Sequence, residues 1–183
     1  MTAPAISNLT GTYTIDPTHS RIGFSARHAM VTKVRGHFAD FAGTATLDVA
    51  DPSRSVAALT IEVVSINTAQ AQRDEHLRTN DFFDAPSFPT ITFASTGVAV
   101  VDADNFRLLG DLTIKGVTQP VSIDFEHTGT AKDPYGNLRA GFEGKAVVNR
   151  KDFGIAFNAA LETGGVLVSE KITLEFDISA IKQ

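Results

Sequence analysis

The stretch Val166–Ser179, VLVSEKITLEFDIS, decides the fold class. Val168, Glu170, Ile172, Leu174, Phe176 and Ile178 fall on one side of an extended chain. Lys171, Thr173, Glu175 and Asp177 fall on the other. Side chains alternate faces along a strand, whereas the same residues on a helix would scatter around its axis. A segment with one apolar and one polar face belongs in an antiparallel sheet that is wet on one side.

The same period of two runs outward through the chain. Ile22, Phe24 and Ala26 alternate with Arg21, Ser25 and Arg27, and Ala45, Leu47 and Val49 with Thr44, Thr46 and Asp48. Leu59, Ile61 and Val63 form a row, as do Ile91 and Phe93, and Phe106, Leu108, Gly110, Leu112 and Ile114. Val121, Ile123 and Phe125 follow, then Ala140, Phe142, Gly144, Ala146 and Val148. Turn-forming sequences separate the rows: DPTHS, DPSRS, DADN, KGVTQP, DPYGN and ETGG. About eight strands result, or nine with GTYTID, which favours a barrel or sandwich over βαβ units. No repeat or linker divides the chain, so residues 11–183 are expected to form one domain after a flexible N-terminus, 1–10.

Several positions on the apolar rows are small: Ala26, Ala45, Gly110, Ala140, Gly144 and Ala146. A closed sheet of about eight strands can be filled by side chains or can hold one small ligand. Small residues favour the cavity; large neighbours such as Phe24, Phe106, Phe125 and Phe142 could instead fill the gaps. Any cavity along rows of this length is a tube, suited to a long apolar chain. Its candidate wall comprises Ile22, Phe24, Leu47, Leu59, Ile61, Phe82, Phe83, Phe93, Leu108, Leu112, Ile114, Ile123, Phe125, Phe142, Val148, Leu174 and Phe176.

One segment breaks the pattern. RDEHLRTNDFFDAPSFPTITF, Arg73–Phe93, starts helical and ends as a strand. A helix over about Ala69–Arg78 would be capped by Asn67 or Thr68, with Gln70 completing a capping box. Arg73, His76 and Leu77 share a face, and Asp74 and Arg78 are spaced as an ion pair. Pro86 and Pro89 end the helix and extend the chain. With Phe82, Phe83 and Phe88, the segment suits a lid or plug at one end of the sheet.

Composition excludes several chemistries. The chain has 183 residues, a formal charge of −5 and no cysteine. Disulfides, thiolate-held metals and thiol catalysis are absent, and an acidic chain is a poor partner for nucleic acid or an anionic membrane overall. The N-terminus shows no signal peptide and the chain no membrane-spanning run, so a cytoplasmic protein is expected, or a periplasmic or secreted one if a leader was trimmed. The five histidines form neither H-x-H nor H-E-x-x-H, so no metal is expected. Asp74 and His76 point apart on a helix, and no nucleophile elbow is present, so His76 is read as a packing residue rather than a catalyst. In RHAMVTKVRGHF, Lys33, Arg35 and His37 share a strand face, either a headgroup contact at a rim or a solvated surface. In NRKDFG, Arg150 or Lys151 could meet an anion, while Asn149 and Asp152 could organise the turn.

Four stretches together resemble the YceI-like family: YTIDPTHSRIGFSARHAMVTKVRGHFADFAGT, INTAQAQRDEHLRTNDFFDAPSFPTITFAST, LLGDLTIKGVTQPV and VVNRKDFGI. The resemblance runs from about Tyr13 to Ile181, in family order. It implies an all-β, single antiparallel eight-stranded lipocalin-like barrel with a short helix between central strands. It also implies a carrier or sequesterer of a long amphiphile held in an apolar tunnel, a polyisoprenoid or a fatty-acid-derived lipid. No cofactor and no established catalytic residue comes with it. His19, Arg73, His76, Asn149 and Arg150 match family motifs, as headgroup contacts or structural ties. The alternatives are an enzyme using a histidine base on a lipid-like substrate, and a solid barrel acting through its surface. A homodimer is compatible with either.

Overall fold

The structure, a computed structural model, describes residues 9–158 and 167–183. The strands are β1 (Gly11–Ile15), β2 (Arg21–His28), β3 (Thr32–Phe38), β4 (Phe41–Leu47), β5 (Val56–Glu62) and β6 (Ile66–Asn67). After the helix α1 (Ala71–Arg78) come β7 (Thr90–Val100), β8 (Asn105–Ile114), β9 (Val117–Lys132), β10 (Leu138–Asn149) and β11 (Lys171–Lys182). The order β1-β4-β5-β7-β8-β9-β10-β11 closes on itself through a β1–β11 pairing, making an eight-stranded antiparallel barrel. The ribbon β2-β3-β6 continues the sheet outside that ring.

Strand β11 reveals how the ring and ribbon coexist. Its first half, Thr173–Asp177, pairs with β2, and its end, Ala180–Lys182, pairs with β1. Between them the DPTHS turn steps the chain sideways. The Asp16 N–H donates to the Ser179 carbonyl at 2.9 Å, and the Asp16 carboxylate accepts from the backbone and hydroxyl of Thr18 at 3.0 and 2.7 Å. Arg139 then clamps this turn to the β9–β10 turn, donating to Asp16 at 2.7 Å and to Asp133 at 2.8 Å. These bonds hold the Asp16 carboxyl well below the usual carboxylate range, the Arg139 bond foremost. Burial pulls Asp133 upward, but its bonds from Arg139 and Asn137 prevail and bring it down to about 2.

The strand count exceeds the expected eight or nine because β3 and β6 are also strands. Strand β6 is two residues long, too short to carry a period. The KGVTQP turn contracts to Lys115 and Gly116, both at positive φ (52° and 76°), the geometry of a tight hairpin. Pro120 therefore lies inside β9. The ETGG turn falls outside the described residues, as does most of the expected flexible N-terminus. Of that segment's last two residues, Leu9 is buried and the Thr10 hydroxyl accepts from the Val49 N–H at 3.1 Å.

Helix α1 corrects the expected cap. Gln70 is the N-cap, its side chain accepting from the Arg73 N–H at 2.8 Å. The Asp74–Arg78 pair does not form. Asp74 is buried and accepts from the Thr68 N–H at 2.9 Å and from its hydroxyl at 2.5 Å, while Arg78 donates to the carbonyls of Val64 and Ile66. A helix with so few apolar residues is held to the barrel by these polar ties and by the aromatics that follow it. Phe82 is buried and Phe83 and Phe88 half-buried.

Candidate functional site

Strands β4, β5 and β7–β11 aim their apolar rows at a common interior, and the rows do not fill it. A cavity of about 320 Å³ remains, at the lower end of the range for small-molecule sites. The candidate wall residues from Ile22 through Phe176 all line it, including Phe82 and Phe83 from the segment after α1. Sequence reading missed a second set on the wall: Tyr13 and Ile15 of β1, Phe38, Ile91, Phe153, Ile155, Ile172 and Ile178. Several lie on rows that alternate visibly; Phe153 and Ile155 sit in irregular chain with no periodic signal.

The small residues divide into three kinds, of which Ala140 and Ala146 are simply buried in the core without bordering the cavity. Ala26 and Ala45 do border the cavity. The glycines serve another purpose: a Cβ at Gly110 would collide with the ring of Phe93, and one at Gly144 would meet Phe125 at 2.5 Å. Each glycine makes room for an aromatic ring lying over the neighbouring strand. Phe93 and Phe125, both on the cavity wall, thus lie close over glycines of neighbouring strands.

The wall is long. Arg150 follows Asn149, which pairs with Lys171 at one end of β11, and Tyr13 pairs with Lys182 at the other. The strand between those ends is at most about 36 Å long, at about 3.3 Å per residue. Both ends carry a buried polar group onto a mostly apolar wall, whose other polar residues are Thr44, Asp48 and Ser55. Tyr13 is 1% exposed, and its hydroxyl has no hydrogen-bond partner among the described residues; burial pushes its pKa up. At the opposite end, Arg150 is 5% exposed. Its Nε, Nη1 and Nη2 donate to the carbonyls of Ser169, Ile155 and Val168 at 2.9, 2.8 and 3.2 Å. Burial pushes its pKa down, partly offset by the charge of Glu170. Among the described residues no carboxylate lies within ion-pair distance of it. A guanidinium has five N–H groups, so donors remain for a further acceptor.

The other polar candidates lie elsewhere. His19 is exposed and bonds Asp16 at 2.8 Å. Arg73 donates to the Thr68 hydroxyl and carbonyl at 2.8 and 2.7 Å, tying α1 to the chain after β6. His76 bonds Asp81 at 2.8 Å and packs edge-on against Phe82 and Phe157. Asn149 caps the Arg150–Phe153 turn by accepting from the Lys151 N–H at 2.9 Å. Lys151 turns outward to Glu170 at 2.7 Å. Of the five candidates, Arg150 is the one that borders the cavity. No histidine among the described residues does so.

The model of the YceI-like domain matches residues 13–180. The chain belongs to the YceI-like family. A UPF0312 protein of Staphylococcus aureus (strain MSSA476) is 39% identical over 164 residues, covering 89% of this chain and 93% of that protein. The crystal structure of a Campylobacter jejuni YCEI protein is similar at a TM-score of 0.74 and 30% identity, covering 86% of this chain and 90% of that one. A polyisoprenoid binding domain from Saccharophagus degradans shares the fold, with a TM-score of 0.71 at 14% identity and coverage of 93% and 98%. No helix among the described residues is long and apolar enough to cross a membrane.

Proposed function

We propose that this YceI-like protein binds and carries a long-chain amphiphilic lipid, of the polyisoprenoid class, inside its barrel. The observation that carries the proposal is the unfilled, apolar interior, walled along several adjacent strands. An apolar chain gains about 0.8 kcal/mol for each buried CH₂, before the costs of ordering it. Few polar contacts are then needed, and Arg150 offers one at the end near α1. The polyisoprenoid binding domain from Saccharophagus degradans, built on the same fold, supports the ligand class.

A binding role fits better than catalysis. A histidine base must touch its substrate, and the described histidines lie off the cavity wall. The cavity likewise speaks against a solid barrel that works only through its surface. The test is native mass spectrometry of freshly purified protein, followed by organic extraction. The expected result is a stoichiometric long-chain lipid recovered intact. A protein that neither carries such a lipid nor takes one up when supplied would overturn the reading, and a chemically altered product would replace it with the enzyme.

A further inference from the structure

The β2–β3 hairpin stands out once the tunnel is accounted for. Its tip, Ala29–Val31, exposes Met30 (59%) and Val31 (73%). Ala29 and Met30 both take positive φ, 51° and 62°, without glycine, a conformation that side chains disfavour. The tip is nonetheless fastened. The Ala29 N–H donates to the Leu167 carbonyl at 2.8 Å, and the Val31 N–H to the His28 carbonyl at 3.0 Å. Beside it, Arg27 and Ser169 exchange two further bonds, at 2.9 and 3.0 Å. An apolar tip held proud of the surface at a cost in backbone strain needs an explanation beyond packing.

Its flank is basic. Arg27 and Lys33 are cross-strand partners, and Arg35 follows opposite Ser25 on the same outer face. Like charges directly opposite oppose the pairing of their strands. All three are exposed, and among the described residues no carboxylate forms an ion pair with them. Carboxylates gather further along the sheet: Glu126, Glu143 and Asp177 stand side by side across β9, β10 and β11, with Asp177 opposite Arg21 at the start of β2, away from the tip. The inner face of the same hairpin belongs to the tunnel. Phe24 and Ala26 border the cavity, as does Val168, which bridges to His28.

We infer that this hairpin docks the protein on an anionic membrane surface, with Met30 and Val31 inserted among the headgroups. Arg27, Lys33 and Arg35 lie against the lipid phosphates. Apolar insertion with basic flanks is how interfacial segments hold to anionic bilayers. The hairpin places one end of the tunnel at the bilayer, where a carried lipid enters or leaves without crossing water. This step extends the carrier reading, but it can fail separately.

The test is flotation with vesicles of phosphatidylcholine alone and of an equal mixture with phosphatidylglycerol. Uptake of a fluorescent long-chain lipid from detergent solution is measured in parallel. The protein should float with the anionic vesicles, lose this at high salt, and ignore the neutral ones. Arg27→Gln and Lys33→Gln should each weaken vesicle binding about fivefold. Met30→Asp with Val31→Asp should abolish it, with probe uptake and thermal unfolding intact. Equal binding to both vesicle types, or vesicle binding unchanged in the Asp variant, overturns the docking surface. So does an Asp variant whose sole effect is to dissolve a dimer in sedimentation velocity, since the tip is then a contact between copies. Probe uptake without flotation sinks the docking and leaves the carrier standing; absence of both sinks the carrier.

Discussion

Truncating Leu112 to alanine separates a hollow barrel from a solid one. Leu112 is 7% exposed and borders the cavity. Leu112→Ala removes three carbons, a loss of about 2.4 kcal/mol at about 0.8 kcal/mol each. In a close-packed core a further cost for the new void brings such changes to as much as about 5 kcal/mol. Here the space already exists on one side, so little new void is created. Ile66 provides the comparison, at 2% exposure and away from the cavity wall. Ile66→Ala should cost about 4 kcal/mol. With a urea slope of about 2 kcal/mol/M, lipid-free Leu112→Ala should lower the unfolding midpoint by about 1.2 M and Ile66→Ala by about 2 M. Equal losses at both sites, near the upper figure, would refute the argument that Leu112 faces open space.

Three further outcomes follow from the polar network. Asp16 and Asp133 have depressed folded pKa values, so the stability they contribute is present above the unfolded carboxylate value near 4 and drains away as pH falls towards about 2; in Arg139→Ala the urea midpoint should depend less steeply on pH across that window. His127 is 3% exposed, and burial holds its pKa below the ordinary histidine value of about 6.5. The unfolded chain takes up the proton first, so stability should decline as pH drops below about 7, and His127→Gln should remove that part of the decline in a melting series. His76→Ala should cost about 1 kcal/mol through its lost bond to Asp81 and its ring contacts, while uptake of a fluorescent lipid stays unchanged.

How much the chain disclosed before folding varied with the kind of signal. Period two placed the apolar rows, and with them the strand residues of the wall from Ile22 to Phe176, because alternation on a half-wet strand directly records which face is buried; Phe82 and Phe83 came from the aromatic segment after the helix instead. It did not show that β2 would leave the ring, since the sideways step at DPTHS depends on Asp16 reaching both Ser179 and Arg139. The pairing of glycine with an overlying ring, Phe93 on Gly110, is a cross-strand relation with no local trace. Arg150 and Lys151 are adjacent and chemically alike, yet one turns to the cavity and the other to Glu170. The Asn149 cap makes that turn recognisable, but the side chains' directions come from the segments packed around it. Tyr13 escaped notice because β1 is five residues long, too short to show which of its residues would line a cavity.

Whether a long apolar chain lies along the barrel axis can be read from a titration of linear prenyl alcohols of increasing length. Competition with a bound fluorescent lipid gives the affinities. Each isoprene unit adds five carbons, and each carbon buried in the tunnel should tighten binding by up to about fourfold, until the chain fills the available length. Affinity should then level off. Affinities that do not depend on chain length would show that the chain is not buried along the axis, and the carrier account would fail.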